Sequence, residues 1–233
     1  MLGAKFKHPS RDVLSLNDIF IYPDVQTFER NRNFSTKFRA DKILEQTNFA
    51  CISGAEDSGK STLKQKLALD LRLAGYYPVV VSMVDLKSTK SEDIVNFFYK
   101  KLGMESYLEE HDKESKYFLL VDDYSEDNLS SAKAERLFSS VNLYFSGVYL
   151  FGHESSFFGT VFNKYLSDFT RYTIQQFGYV LRSQLFERWY RLAGDSGVDV
   201  DESEILKKID AISKHFNIIQ DRKLVENKPL YNL

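Results

Sequence analysis

The chain has 233 residues, 43% of them hydrophobic, enough for one packed core and a small attachment. Its formal charge of −2, with 27% charged residues, excludes the global basic field of a nonspecific nucleic-acid binder. A single cysteine, Cys51, excludes an intrachain disulfide and suits a reducing compartment. The N-terminus has no apolar signal core and no run has the length of a membrane-spanning helix, so a cytoplasmic protein without membrane contact is expected.

Residues 1–16 are polar and irregular and read as a linker or chain end. DIFIYPDV (Asp18–Val25) is a short extended apolar piece stopped by Pro23, and the charged stretch 28–47 turns helical toward its end. NFACIS (Asn48–Ser53) is an apolar run before a glycine-bounded loop. Lys60–Ala74 then has helical spacing, with Leu63, Leu67, Leu69, Leu71 and Leu73 apolar and Gly75 as its stop. Tyr76–Leu86 is β-branched and strand-like, Ser91–Leu102 helical, and YFLLVDDY (Tyr117–Tyr124) a buried strand ending in two acids. Ser131–Tyr144 reads as a helix, Gly147–Ser155 and Arg171–Gly178 as strands. This alternation predicts an α/β three-layer sandwich around a mainly parallel five-stranded sheet. Beyond Gly178 two amphipathic helices, Val180–Gly194 and Ser203–Ile219, flank an acidic turn. The expected domains are therefore 17–178 for the sheet unit and 179–233 for the truncated start of a helical lid.

The octet GAEDSGKS (Gly54–Ser61) fits the phosphate-loop pattern G-x-x-x-x-G-K-[ST] and has the required context of a strand before and a helix after. Gly54 and Gly59 permit the tight backbone path, so that successive N–H groups point at phosphate oxygens. The helix N-terminus adds its positive end. Lys60 would reach the β- and γ-phosphates, Ser61 would sit on Mg²⁺, and Thr62 would touch the α-phosphate. Asp57 and Ser58 complete the nucleotide-binding set; carboxylates at Glu56 and Asp57 near phosphate would cost energy, but these middle loop positions can face solvent.

A Mg²⁺-nucleotide also calls for a carboxylate at a neighbouring strand end. Asp122 is assigned to the metal together with Ser61, and Asp123 to polarising the attacking water. Asp123 is shorter than glutamate, which predicts slow hydrolysis. The strand Gly147–Ser155 is expected between the loop strand and the acid strand, with His153 or Ser155 sensing the γ-phosphate and Glu154 disfavoured by charge. Arg171 and Arg182 are candidates for phosphate-sensing arginines, against the reading that they are surface or helix-flank charges.

GAEDSGKST, LLVDDY and GVYLFG together resemble the nucleotide-binding domain of STAND-class P-loop ATPases, relatives of the AAA+ and NB-ARC proteins. With DIFIYPDV, GYYPVVVSMVDL and IQQFGYVLRSQLFERWYRL, the chain looks like bacterial STAND ATPases fused to a metallophosphoesterase-type domain, over residues 17–233. The resemblance implies an ADP/ATP switch that self-associates on activation, works with fused or separate sensor and effector domains, and in bacteria serves antiphage defence. It also implies that Tyr22 and Pro23 on one side and Pro229 on the other flank the adenine. The chain departs from the pattern in lacking an arginine sensor after the acids and in lacking sensor repeats or an effector, so the signalling output would belong to a longer parent or to partners.

Two alternatives stay open. A P-loop kinase would pass the γ-phosphate to a small acceptor, but needs a lid richer in arginines than Asn163–Tyr165 and Arg171 provide. A non-hydrolysing module would keep ADP as structural glue. A GTPase is disfavoured, because Leu166 stands where guanine recognition wants an aspartate.

Overall fold

A computed structural model describes residues 14–27, 36–85, 116–126, 131–159 and 164–194, with His8, Phe97, Lys100 and a few positions between 203 and 214. In chain order its elements are α1 (Leu16–Ile19), β1 (Asp24–Thr27), β2 (Lys37–Arg39), α2 (Ile43–Gln46), β3 (Phe49–Ser53) and α3 (Lys60–Leu73). There follow β4 (Tyr77–Ser82), β5 (Tyr117–Tyr124), α4 (Ser131–Tyr144), β6 (Gly147–Gly152), β7 (Thr170–Ile174) and α5 (Tyr179–Gly194). Of the helix expected over 91–102, Phe97 and Lys100 are described and both are helical. Most of the expected helix 203–219 lies outside the described residues, as do Asn163 and Pro229.

The strands form one sheet in the order β2-β1-β7-β3-β6-β5-β4. The pairs β7–β3, β3–β6, β6–β5 and β5–β4 are all parallel, which gives the expected five-stranded core. Two further short strands extend it antiparallel beyond β7: β1, of which the extended reading of Asp18–Val25 reached only the first two residues, and β2, which the sequence pattern did not reveal. β2 is three residues long and charged, and its Lys37 and Arg39 bind Asp24 of β1 at 3.0 and 3.3 Å. A short charged strand is a poor template for further pairing, so this edge is protected.

Side chains alternate across the parallel strands and bury both faces. Cys51, Val79, Val81, Leu119, Val121, Val148 and Leu150 pack on one side with Ala134, Leu137, Phe138 and Val141 of α4. Ala50, Ile52, Phe118, Leu120, Tyr149 and Phe151 pack on the other with Leu63, Leu67 and Leu71 of α3. Each such leucine, fully buried, stabilises the fold by roughly 1.5–3 kcal/mol through area removed from water. The result is a three-layer sandwich with α3 and α4 on opposite faces.

The segment expected to be extended from Asp18 begins instead as one helical turn, because Asp18 Oδ2 accepts from the Ser15 N–H at 2.6 Å and caps it. α5 packs on this turn through Ile19, Ile21, Phe177, Leu181, Leu185 and Leu192. Arg188 Nη1 donates to the Phe20 carbonyl at 2.9 Å, and Arg39 Nη2 to Gln184 Oε1 at 3.0 Å. His8, within the stretch read as a linker, stands edge-on to Trp189 of α5 with ring centroids 4.7 Å apart. No helix among the described residues is long and apolar enough to cross a membrane.

Candidate functional site

All five parallel strands end at the same edge of the sheet. Register aligns Ser53 with Gly152 across β3–β6, and Ser82 with Asp122 across β4–β5. The loop after β3, the acids ending β5 and His153 after β6 therefore share that edge. β6 lies between the loop strand and the acid strand, as the sequence predicted.

Gly59 caps α3 at φ 88°, a left-handed conformation open to glycine and strained for most other residues. Its carbonyl accepts from the Leu63 N–H at 2.8 Å, so the helix starts at once and Lys60 is its first residue. Lys60 Nζ turns back into the loop and donates to the carbonyls of Gly54 at 2.9 Å and Ala55 at 2.6 Å. Burial lowers the Lys60 pKa, while Asp122, Asp123, Asp57 and Glu56 oppose that shift. The loop lysine and both strand-end acids are thus one electrostatic group. The Ser58 hydroxyl is buried without a hydrogen-bond partner, a polar atom poised for an acceptor. Glu56 and Asp57 are exposed to solvent, and Ser61 and Thr62 are exposed on the first turn of α3.

The end of β5 is not a regular strand. Its Val121 pairs with Leu150 and its Tyr124 with Gly152, so three steps along β5 match two along β6. The extra residue makes a bulge, a feature that re-aims side chains beside functional sites. Asp123 takes the strain at φ 54°. It is exposed, and its Oδ2 accepts from Ser82 Oγ at 3.3 Å. Asp122 stays on the face of Phe118 and Leu120, toward α3, and is buried there against Lys64, whose Nζ donates to its Oδ2.

Lys64 was not singled out from the sequence, although a signal was present. It lies one turn beyond Lys60 and inside the apolar stripe Leu63–Leu67–Leu71, where a charge needs a buried partner. This pair bears on the expected Mg²⁺ site at Ser61 and Asp122. The carboxylate that would attract the ion is already neutralised by a buried ammonium, and Asp123 is turned to Ser82. The donor set does not fit the metal role given to Asp122.

The remaining candidates are dispersed. His153 follows β6 and caps the turn Glu154–Phe157, its Nδ1 lying 3.0 Å from Ser155 Oγ, with both residues at the loop edge of the sheet. Arg171 sits on β7 in register with Cys51, and its guanidinium lies 5.3 Å from the centroid of the Phe158 ring. Arg182 is buried on the first turn of α5, and burial lowers its pKa while Tyr179 opposes the shift. Tyr22 does not converge on the loop. Its hydroxyl donates to Asp70 at 2.5 Å, ten residues and so about 15 Å along α3 from Lys60. Lys66 covers the ring at 5.1 Å and is paired with Asp70. Burial and Asp70 together raise the Tyr22 pKa far above its usual range. The Pro23 carbonyl accepts from the Ala40 N–H at 2.9 Å, which ties the segment to the turn after β2.

No protein-family model matches the chain, and no curated protein does. Among solved structures it is similar to AMPPCP-bound DnaA from Aquifex aeolicus, at TM-score 0.44 and 14% identity over 76% of this chain. Domain III of the replication initiation protein DnaA from Thermotoga maritima is similar at TM-score 0.41 and 15% identity over 74% of this chain. The chain spans 60% of the first of these structures and 72% of the second. The fold itself is carried by the strand order and by the glycine-capped loop between β3 and α3, and it is the three-layer fold of a P-loop nucleotide-binding domain.

Proposed function

We propose that the chain binds ATP or ADP on the loop Gly54–Thr62 and hydrolyses ATP slowly, as the switch domain of a signalling protein. The observation that carries this reading is Lys60, whose ammonium lies on the Gly54 and Ala55 carbonyls within electrostatic reach of both strand-end acids. A polyphosphate would draw that ammonium onto its β- and γ-oxygens, and the Ser58 hydroxyl and the first turn of α3 would supply further donors. Water then attacks the γ-phosphorus, Asp123 accepts its proton, and ADP and phosphate leave. Residues 17–178 form the nucleotide unit in this reading, and 179–233 begin a helical lid carrying Arg182 and Pro229. His153 would sense the γ-phosphate from the end of β6.

The wider role rests on the sequence resemblance alone: a STAND-type or AAA+-like ATPase that self-associates when ATP replaces ADP and passes the change to sensor and effector domains, in antiphage defence. A second reading, an ADP-retaining module without turnover, is favoured by one observation. Asp122 is paired with Lys64 and Asp123 with Ser82, so each acid already has a protein partner.

Purified protein, assayed for ATP turnover beside Lys60→Ala and Asp123→Asn, with bound nucleotide identified after denaturation, separates these. Turnover lost in both variants supports the slow ATPase. Co-purified ADP without turnover supports the retaining module, and a chain that binds no nucleotide sinks both.

A further inference from the structure

α3 places two lysines on one face at the phosphate site, one turn apart. Lys60 faces the loop, and Lys64 reaches under it to the acid strand. Lys64 is 8% exposed and Asp122 is 9% exposed, so their pair is shielded from solvent and little screened by salt. Alternation along β5 sets the meeting. Phe118 and Leu120 face α3, and Asp122 is the next residue on that side. A buried charge persists only where a partner neutralises it, so the two residues specify each other.

Granting the nucleotide reading above, we infer that Lys64 is a built-in countercation of the phosphate site. Its ammonium cancels the Asp122 carboxylate that would otherwise recruit a divalent ion, and so makes nucleotide binding nearly independent of Mg²⁺. Two electrostatic consequences follow from one fixed positive charge. A free Asp122 would repel the phosphates of metal-free ATP, and Lys64 removes that repulsion. A divalent ion beside Ser61 would meet an acid already neutralised and a neighbouring like charge, so it gains little from the protein. Lys64 touches Asp122 rather than substrate, and acts as a positioning residue.

The test is the ratio of fluorescent-ATP dissociation constants in EDTA and in MgCl₂, measured on the full chain and its variants. The wild-type ratio is expected within about threefold of unity, and Lys64→Met is expected to raise it about tenfold by freeing the carboxylate. The double variant Lys64→Met/Asp122→Asn removes both charges, leaves no buried orphan ion, and is expected to keep the wild-type ratio. Equal ratios in wild type and Lys64→Met overturn the inference. Should Lys64→Met not fold, a double-variant ratio well below that of wild type overturns it, because Asp122 would then have been serving the metal all along. A ratio shared by wild type and double variant supports it. Absence of any nucleotide binding by the wild-type chain overturns the functional reading and this inference with it. Binding with the wrong ratios overturns the inference alone.

Discussion

Ser82 Oγ donates to Asp123 Oδ2 across the ends of β4 and β5, and Asp123 holds that position from a left-handed backbone at φ 54°. Aspartate tolerates such a conformation better than most residues with a Cβ, and a β-branched side chain tolerates it worst. Asp123→Val is therefore expected to lose about 1–2 kcal/mol of stability, and Asp123→Gly to lose little or none. Urea unfolding of the two variants checks this, and equal losses would show that the bulge carries no strain.

Opposite that bulge stands Gly152, where an added Cβ would come within 2.5 Å of the Tyr124 main-chain oxygen and 3.2 Å of the Phe157 ring. Backbone yields less readily than a side-chain tip. Gly152→Ala is expected to destabilise by about 1–3 kcal/mol and to weaken nucleotide binding by displacing the acids. Thermal unfolding with and without ATP measures both effects.

Lys60 gives the site a pH dependence of definite sign. Burial lowers its pKa below the ordinary lysine range. An amine lowered in this way weakens the ligand-free fold while it is charged, and the penalty is relieved as pH rises through the lowered value. Phosphate binding has the opposite need, since the ammonium must stay protonated. ATP affinity should accordingly fall with rising pH, beginning below the usual lysine pKa of about 10.4. A titration of affinity from about pH 7 to about pH 10 checks it, with Lys60→Arg as the variant whose charge does not titrate and whose affinity stays flat.

Leu67 anchors α3 beneath the loop, fully buried among strand side chains of the central sheet. Leu67→Ala should cost about 2–5 kcal/mol by leaving a cavity that the sheet cannot close. Because the residue lies two turns from Lys60, ATP affinity of the folded fraction should change little. Chemical denaturation paired with nucleotide titration tests the separation.

Local chemistry made much of this protein legible without coordinates. The β-branched and aromatic runs gave all five parallel strands, with β5 spanning Tyr117–Tyr124 as expected. The leucine stripe gave α3, and the loop's glycines gave its start at Lys60. These are patterns of neighbouring residues, and neighbours report on their own backbone. β2 escaped because it is three residues long and charged and becomes a strand by pairing with β1, and most of β1 escaped because it is four residues long and becomes a strand by pairing with β7. The partners of Tyr22, Asp70 and Lys66, are far from it in sequence and came to light only in the fold.

The sequence by itself determined that a glycine-bounded loop would join a strand to a helix beside a strand ending in two acids. Only the tertiary structure decided what those acids do with their charge. Alternation along β5 brings Asp122 to Lys64, and a bulge of one residue turns Asp123 toward Ser82. The reason is physical: a carboxylate's role depends on the countercharge and burial it meets, and these come from elements that adjoin only once the sheet has formed.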